Sequence, residues 1–147
     1  IFFGGSHTRV DQGLEFMKEV RDTGINAPVL SGMGLDNDDF RAQAGQYAKG
    51  VFVASIIDFK GPGEKLKAFT DSFRKRYGKN PDIPAAQAYE AMTILAEAMN
   101  RAGTTVPDDV AKTLRERKDW QGLVGRYGFD DQGRIMGKPV VIKALLQ

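Results

Sequence analysis

His7 is the only imidazole in this 147-residue chain, there is no cysteine, and 19 carboxylates are spread along its length. Those counts limit the chemistry. A histidine-paired nucleophile, a multi-histidine metal site, a thiolate zinc cluster and a disulfide framework cannot be built from these residues alone. The glycine pairs also fall short of a phosphate loop: "GG" at 4–5 and "GMG" at 32–34 match neither the G-x-G-x-x-G spacing nor a Gly-Lys-Ser/Thr ending. No cofactor and no metal is expected. Such glycines more commonly let the backbone turn tightly and approach a small molecule at the end of a strand.

The carboxylates have local uses. "DNDD" at 36–39 lacks the glycine and the later glutamate of a calcium loop. Asp108 and Asp109 follow Pro107 in what reads as a first helical turn, where they suit the positive end of the helix dipole. Asp130 and Asp131 are turn formers. No acid, base and nucleophile set emerges, so an enzyme is not expected. Trp120 is the single tryptophan, and without a second aromatic platform beside it the side chain reads as a packing anchor. His7 stands just past an apolar run, where α/β folds place their ligands.

Residues that could touch a ligand need elements to position them, and the composition is that of a globular chain, 41% hydrophobic against 27% charged. A net charge of +2 with no basic block argues against a nucleic-acid partner. "IFFGG" reads as strand then loop, and Val10, Leu14, Met17 and Val20 mark one face of a helix stopped near Gly24. "APVLSGMG" is a second strand, followed by a short helix to about Ala44 with Asp36 or Asn37 as N-cap. "KGVFVASI" is a third strand. This is the βαβ rhythm of a parallel sheet.

After "DFKGPGE" the pattern becomes helical. Leu66, Phe69, Phe73 and Tyr77 form an apolar stripe ending at Gly78, which reads as core. "AAQAYEAMTILAEAMNRAG" predicts a helix buried over most of its circumference, and a third helix begins near Pro107. The tail predicts a β-hairpin, in which the turn "DDQG" joins the run ending at Phe129 to the run Val140–Leu146.

Taken in order, "IFFGG", "APVLSGMG" with "DNDDF…AG", "KGVFVAS", "FTDSFRKRYGKNPDIPAAQAYEAM" and "GLVGRYGFDDQGRIMGKPVVIKAL" resemble the C-terminal half of the leucine/isoleucine/valine-binding family of extracytoplasmic solute receptors. The resemblance implies a type I periplasmic binding fold. That fold is α/β: a parallel-sheet βαβ segment of a two-lobe protein, with helices and a C-terminal β-hairpin. Residues 1–56 would be part of the second lobe, 57–122 a crossover and outer helices of the first lobe, and 123–147 a hairpin returning toward the second. It further implies that the chain opens inside a strand because the receptor's first portion precedes it. A segment of this kind would associate with that portion or with itself.

The function implied is capture of a small organic solute, amino acid-like or an aromatic acid, in an interlobe cleft, for an ABC-type permease in the membrane. The location implied is periplasmic, or extracytoplasmic with a membrane anchor. The other reading is a ligand sensor with the same fold. Site residues follow by position. Ser6 stands where relatives point a residue into the cleft, with His7 beside it. Met33, after Gly32, stands where receptors of branched-chain amino acids carry an acid for the ligand's ammonium. Pro84 stands where relatives have an aromatic. A thioether cannot replace a carboxylate against an ammonium, so the substitution argues against a leucine-like ligand.

Overall fold

Short apolar runs closed by glycine become strands, and the 3.6-residue stripes become helices. The computed structural model describes residues 1–5 and 9–146. In chain order the elements are β1 (Phe2–Phe3), α1 (Val10–Asp22), β2 (Val29–Ser31), α2 (Asp38–Ala44), β3 (Val51–Ser55), α3 (Glu64–Tyr77), α4 (Ile83–Ala102), α5 (Pro107–Glu116), β4 (Trp120–Gln121), β5 (Arg126–Phe129), β6 (Ile135–Met136) and β7 (Val141–Ala144). Short 3-10 turns occupy Met33–Leu35 and Gly45–Ala48. The chain divides into two units, one formed by Ile1–Asp58 with the residues from Val140 onward, the other by Phe59–Pro139.

The first unit is built on a sheet of order β1-β2-β3-β7, in which β1, β2 and β3 are parallel and β7 is antiparallel to β3. Alternation assigns the faces. Val29, Ser31, Val51, Val53 and Ser55 are buried, and the apolar members of this set pack with Met17 of α1 and with Phe40 and Ala44 of α2. The residues between them, Phe2, Leu30, Phe52 and Ile142, are exposed on the other face. At the opposite edge from the strand ends, the Arg21 guanidinium donates to the carbonyls of Ile25, Ala27 and Lys49 at 2.8, 3.0 and 2.9 Å. One planar fork thus fixes the entries to both β2 and β3. Gly13 lets α1 come close, because a Cβ there would lie 2.5 Å from Leu35 Cδ2.

The predicted hairpin forms around "DDQG", with Asp130 Oδ1 accepting from the amides of Gln132 and Arg134 at 2.9 and 2.8 Å. Its second strand, however, is Ile135–Met136, and the run predicted to complete it pairs with β3. Gly137, at φ +81°, ends β6. Pro139 then removes a donor before the chain reaches β3.

In the second unit α4 departs from expectation in its burial. Its buried positions, Ile83, Ala86, Glu90, Ile94 and Ala98, make a single stripe, while Tyr89 and Met92 are exposed. Alanine favours helix whether or not it is buried, so an alanine-rich helix need not be enclosed. The α3 stripe is likewise only partly core: Leu66 and Phe69 are buried and Tyr77 is 57% exposed. Trp120 is the packing anchor the sequence suggests. It is fully buried, donates Nε1–H to the Leu114 carbonyl at 3.1 Å, and carries the Arg117 guanidinium 4.5 Å from its ring centre.

Beside this core lies a buried charge pair. Glu90 Oε1 accepts the Leu123 amide at 2.6 Å, and Oε2 pairs with Lys138, which is also 4.8 Å from the Tyr127 ring centre. Burial, with Glu90 nearby, pushes the Tyr127 hydroxyl up to about 12. Gly122 leaves the space this needs, since a Cβ there would meet Glu90 Oε1 at 2.4 Å. Glu90→Ala strands the Lys138 ammonium and should cost about 3 to 5 kcal/mol of unfolding free energy. Urea melts followed by Trp120 fluorescence measure it, and a loss near zero would mean the pair is well solvated.

Candidate functional site

Because β1, β2 and β3 are parallel, their carboxyl ends share one edge of the sheet. Three segments leave from it: Gly4 and Gly5 after β1, Gly32 and the Met33–Leu35 turn after β2, and Ile56–Asp58 after β3. Open α/β sheets bind ligands at this edge. Of the residues singled out by sequence, the adjacent Gly32 and Met33 lie at this edge, directly after β2. Met33 is 38% exposed and Gly32 half-buried. Ser6 and His7 lie outside the described residues. Pro84 belongs to the other unit, in the first turn of α4, whose N-cap Asp82 accepts the Ala85 amide at 2.8 Å.

The Met33–Leu35 turn has few bonds of its own. The Asp36 amide donates to the Met33 carbonyl at 3.0 Å. Asn37, the N-cap of α2, accepts the Phe40 amide at 2.7 Å and donates Nδ2–H to the Gly34 carbonyl at 3.2 Å. Leu35 is buried beside Gly13. The cap choice left open by the sequence therefore falls to Asn37, and this frees Asp36 for another task.

Asp36 is the residue that sequence reasoning missed. Its side chain is 2% exposed, Oδ1 pairs with Arg41, and Oδ2 lies 2.7 Å from Lys143 Nζ. That second contact is coulombic and not an aligned hydrogen bond. Lys143 also donates to the Ile57 carbonyl at 2.9 Å. Nothing in the spacing announces a pair between a loop aspartate and a lysine of the last strand.

A concavity of about 540 Å³ lies between α3 and α4 of the second unit, lined by Phe69, Phe73, Tyr77, Tyr89 and Leu123 among others. Its rings are in mutual contact, Phe69 with Tyr89 at 4.8 Å and Phe73 with Tyr77 at 4.6 Å. Among the described residues, no group of three or more histidine, aspartate or glutamate side chains could hold a metal ion. No helix among them is long and apolar enough to cross a membrane. For the turn itself, Asn37→Ala removes the cap and the bond to Gly34 together and should cost about 1 to 2 kcal/mol, read from urea melts of the chain. An unchanged midpoint would show that the turn holds without Asn37.

The geometry can be set beside known proteins. A family model described as periplasmic binding protein matches residues 9–143. The Leu/Ile/Val-binding protein homolog 1 of Brucella abortus is 29% identical over 136 residues, covering 90% of this chain and 34% of the relative. The chain thus spans about a third of the length of that curated relative. Among solved structures, the leucine-binding protein LivK of Thermotoga maritima superposes with a TM-score of 0.82 at 24% identity, covering 97% of this chain and 40% of that one. An ABC transporter substrate-binding protein of Desulfitobacterium hafniense, in complex with Leu, does so with a TM-score of 0.77 at 30% identity, covering 91% and 38%. The α/β fold with its parallel strands and C-terminal hairpin is the one shared with these proteins, and the chain belongs to the periplasmic binding protein family.

Proposed function

We propose that this chain is part of an extracytoplasmic receptor that captures a small organic solute and hands it to the permease of an ABC-type importer. Family membership across residues 9–143 carries the reading. In it, residues 1–56 belong to the second lobe and 57–122 to a crossover and the outer helices of the first; of the tail 123–147, expected to return as a hairpin, the part that returns to the unit of residues 1–58 begins at Val140, and the β5–β6 hairpin stays with residues 59–139. The division of the chain after Asp58 supports the first of these boundaries. Solute contact with both lobes would favour the closed receptor over the open one, so that binding energy drives closure.

The Desulfitobacterium hafniense relative was solved with Leu, which makes an amino acid-like solute the first candidate class. Met33 argues for a different member of it, or for an aromatic acid. Its thioether offers no charge to an ammonium, and the nearby Asp36 carboxylate is already engaged by Arg41 and Lys143. Calorimetry of the receptor with leucine and with aromatic acids should show weak leucine binding. Met33→Glu should raise affinity for an ammonium-bearing solute by about 1.5 to 3 kcal/mol. Tight leucine binding by the unmodified protein sinks this assignment.

Ser6 and His7 follow "IFFGG" and belong to the same proposed site. Ser6→Ala should weaken solute binding by about 0.5 to 1.5 kcal/mol while leaving the melting temperature nearly unchanged. His7→Ala should weaken it only if the ring donates to or stacks on the solute. Affinity and melting temperature measured on the same variants separate contact from scaffold, and unchanged affinity in both moves the site off this strand end.

A further inference from the structure

A charged residue on the covered face of a strand is unusual, and β7 has one. Its neighbours Ile142 and Ala144 are exposed, whereas Lys143 has a side chain only 17% exposed, on the face where alternation calls for an apolar residue. Burying that ammonium is costly unless it is paired, and its partners are informative. One is the Asp36 carboxylate, at 2.7 Å, directly after the Met33–Leu35 turn. The other is the Ile57 carbonyl, at 2.9 Å, one residue before the chain leaves this unit after Asp58. An apolar side chain at 143 would serve the sheet as well. It could not hold the turn.

The turn needs holding from outside. A three-residue 3-10 turn is weakly self-supporting, and Met33 is flanked by Gly32 and Gly34, which restrict the backbone least. Asp36 is fastened twice, locally by Arg41 of the helix that follows it and from a distant element by Lys143 of β7. We infer that Asp36 and Lys143 are positioning residues for solute recognition: together they hold the Gly32–Leu35 segment, and Met33 with it, in fixed register with the end of β3 and the Ile57 carbonyl. The consequence for recognition rests on the function proposed above. The positioning itself does not.

The positioning can be read on the 147-residue chain by nuclear magnetic resonance. Asp36→Asn removes the charge and keeps the shape, Lys143→Met keeps the length, and Lys143→Arg keeps the charge. In the first two variants the amide of residue 36 should exchange about tenfold faster or more, and the Met33 methyl resonance should shift, while the Phe52 and Val53 amides keep their protection. Lys143→Arg should restore the parent pattern. Equal loss of protection at residue 36 and in β3 would overturn the inference in favour of a general scaffold role. Unchanged exchange at residue 36 would overturn it outright, and failure of both charge-removing variants to fold counts as the scaffold outcome. Titration of the parent receptor with leucine and 4-hydroxybenzoate reports separately on the solute reading. Absence of binding there, with the exchange pattern as expected, removes the solute assignment and leaves the positioning intact.

Discussion

The pairing of β3 with β7 is the constraint on which the first unit depends. Phe52 to Ser55 align with Ala144 back to Val141, and the Leu145 amide closes the ladder on the Val51 carbonyl at 2.9 Å. This contact makes β3 an interior strand and completes the buried face begun by Val29, Val51 and Val53. It delivers Lys143 to Asp36. It also makes residues 59–139 an insertion between two paired strands of the first unit.

The segment after the hairpin carries a lysine for each of two buried carboxylates. Lys138 pairs with Glu90 inside the second unit, and Lys143 pairs with Asp36 inside the first. Each carboxylate also has a further partner, the Leu123 amide for Glu90 and Arg41 for Asp36. Desolvated charges are tolerable when paired in this way, and each pair fixes a loop that packing alone would leave loosely defined. In the second unit that loop is 121–125; in the first it is the turn bearing Met33.

Much of this was legible in the sequence because local chemistry decided it. Glycine after an apolar run ended β1 and β2, the stripe through Met17 gave α1, and Pro107 with two aspartates opened α5. The partner of β7 was not legible. An apolar run such as Val140–Leu146 fits a hairpin or a longer-range sheet equally well, and the choice lies with residues some 90 positions earlier. Asp36 was hidden for a similar reason, since Lys143, one of its two partners, is not its neighbour in the chain. For α4, alanine content reported helix formation and was silent on how many sides were covered. Of the residues proposed for the site, Gly32 and Met33 lie beyond the carboxyl end of β2, and Pro84 belongs to the other unit. The turn chemistry around Met33 could be read locally, but the ion pair that fastens it could not.

One consequence of the β3–β7 ladder concerns the order in which the protein is made. When β3 leaves the ribosome, its β7 edge has no partner, and 85 residues, 56–140, must follow before β7 even begins. At about 5 to 20 residues per second that interval is about 4 to 17 s. During it a strand rich in valine and phenylalanine presents unpaired backbone groups, the situation that favours joining a foreign edge. Local helix formation in the inserted residues is far faster, on the order of microseconds. Nascent chains stalled within 60–139 are therefore the point at which a holding chaperone has most to protect.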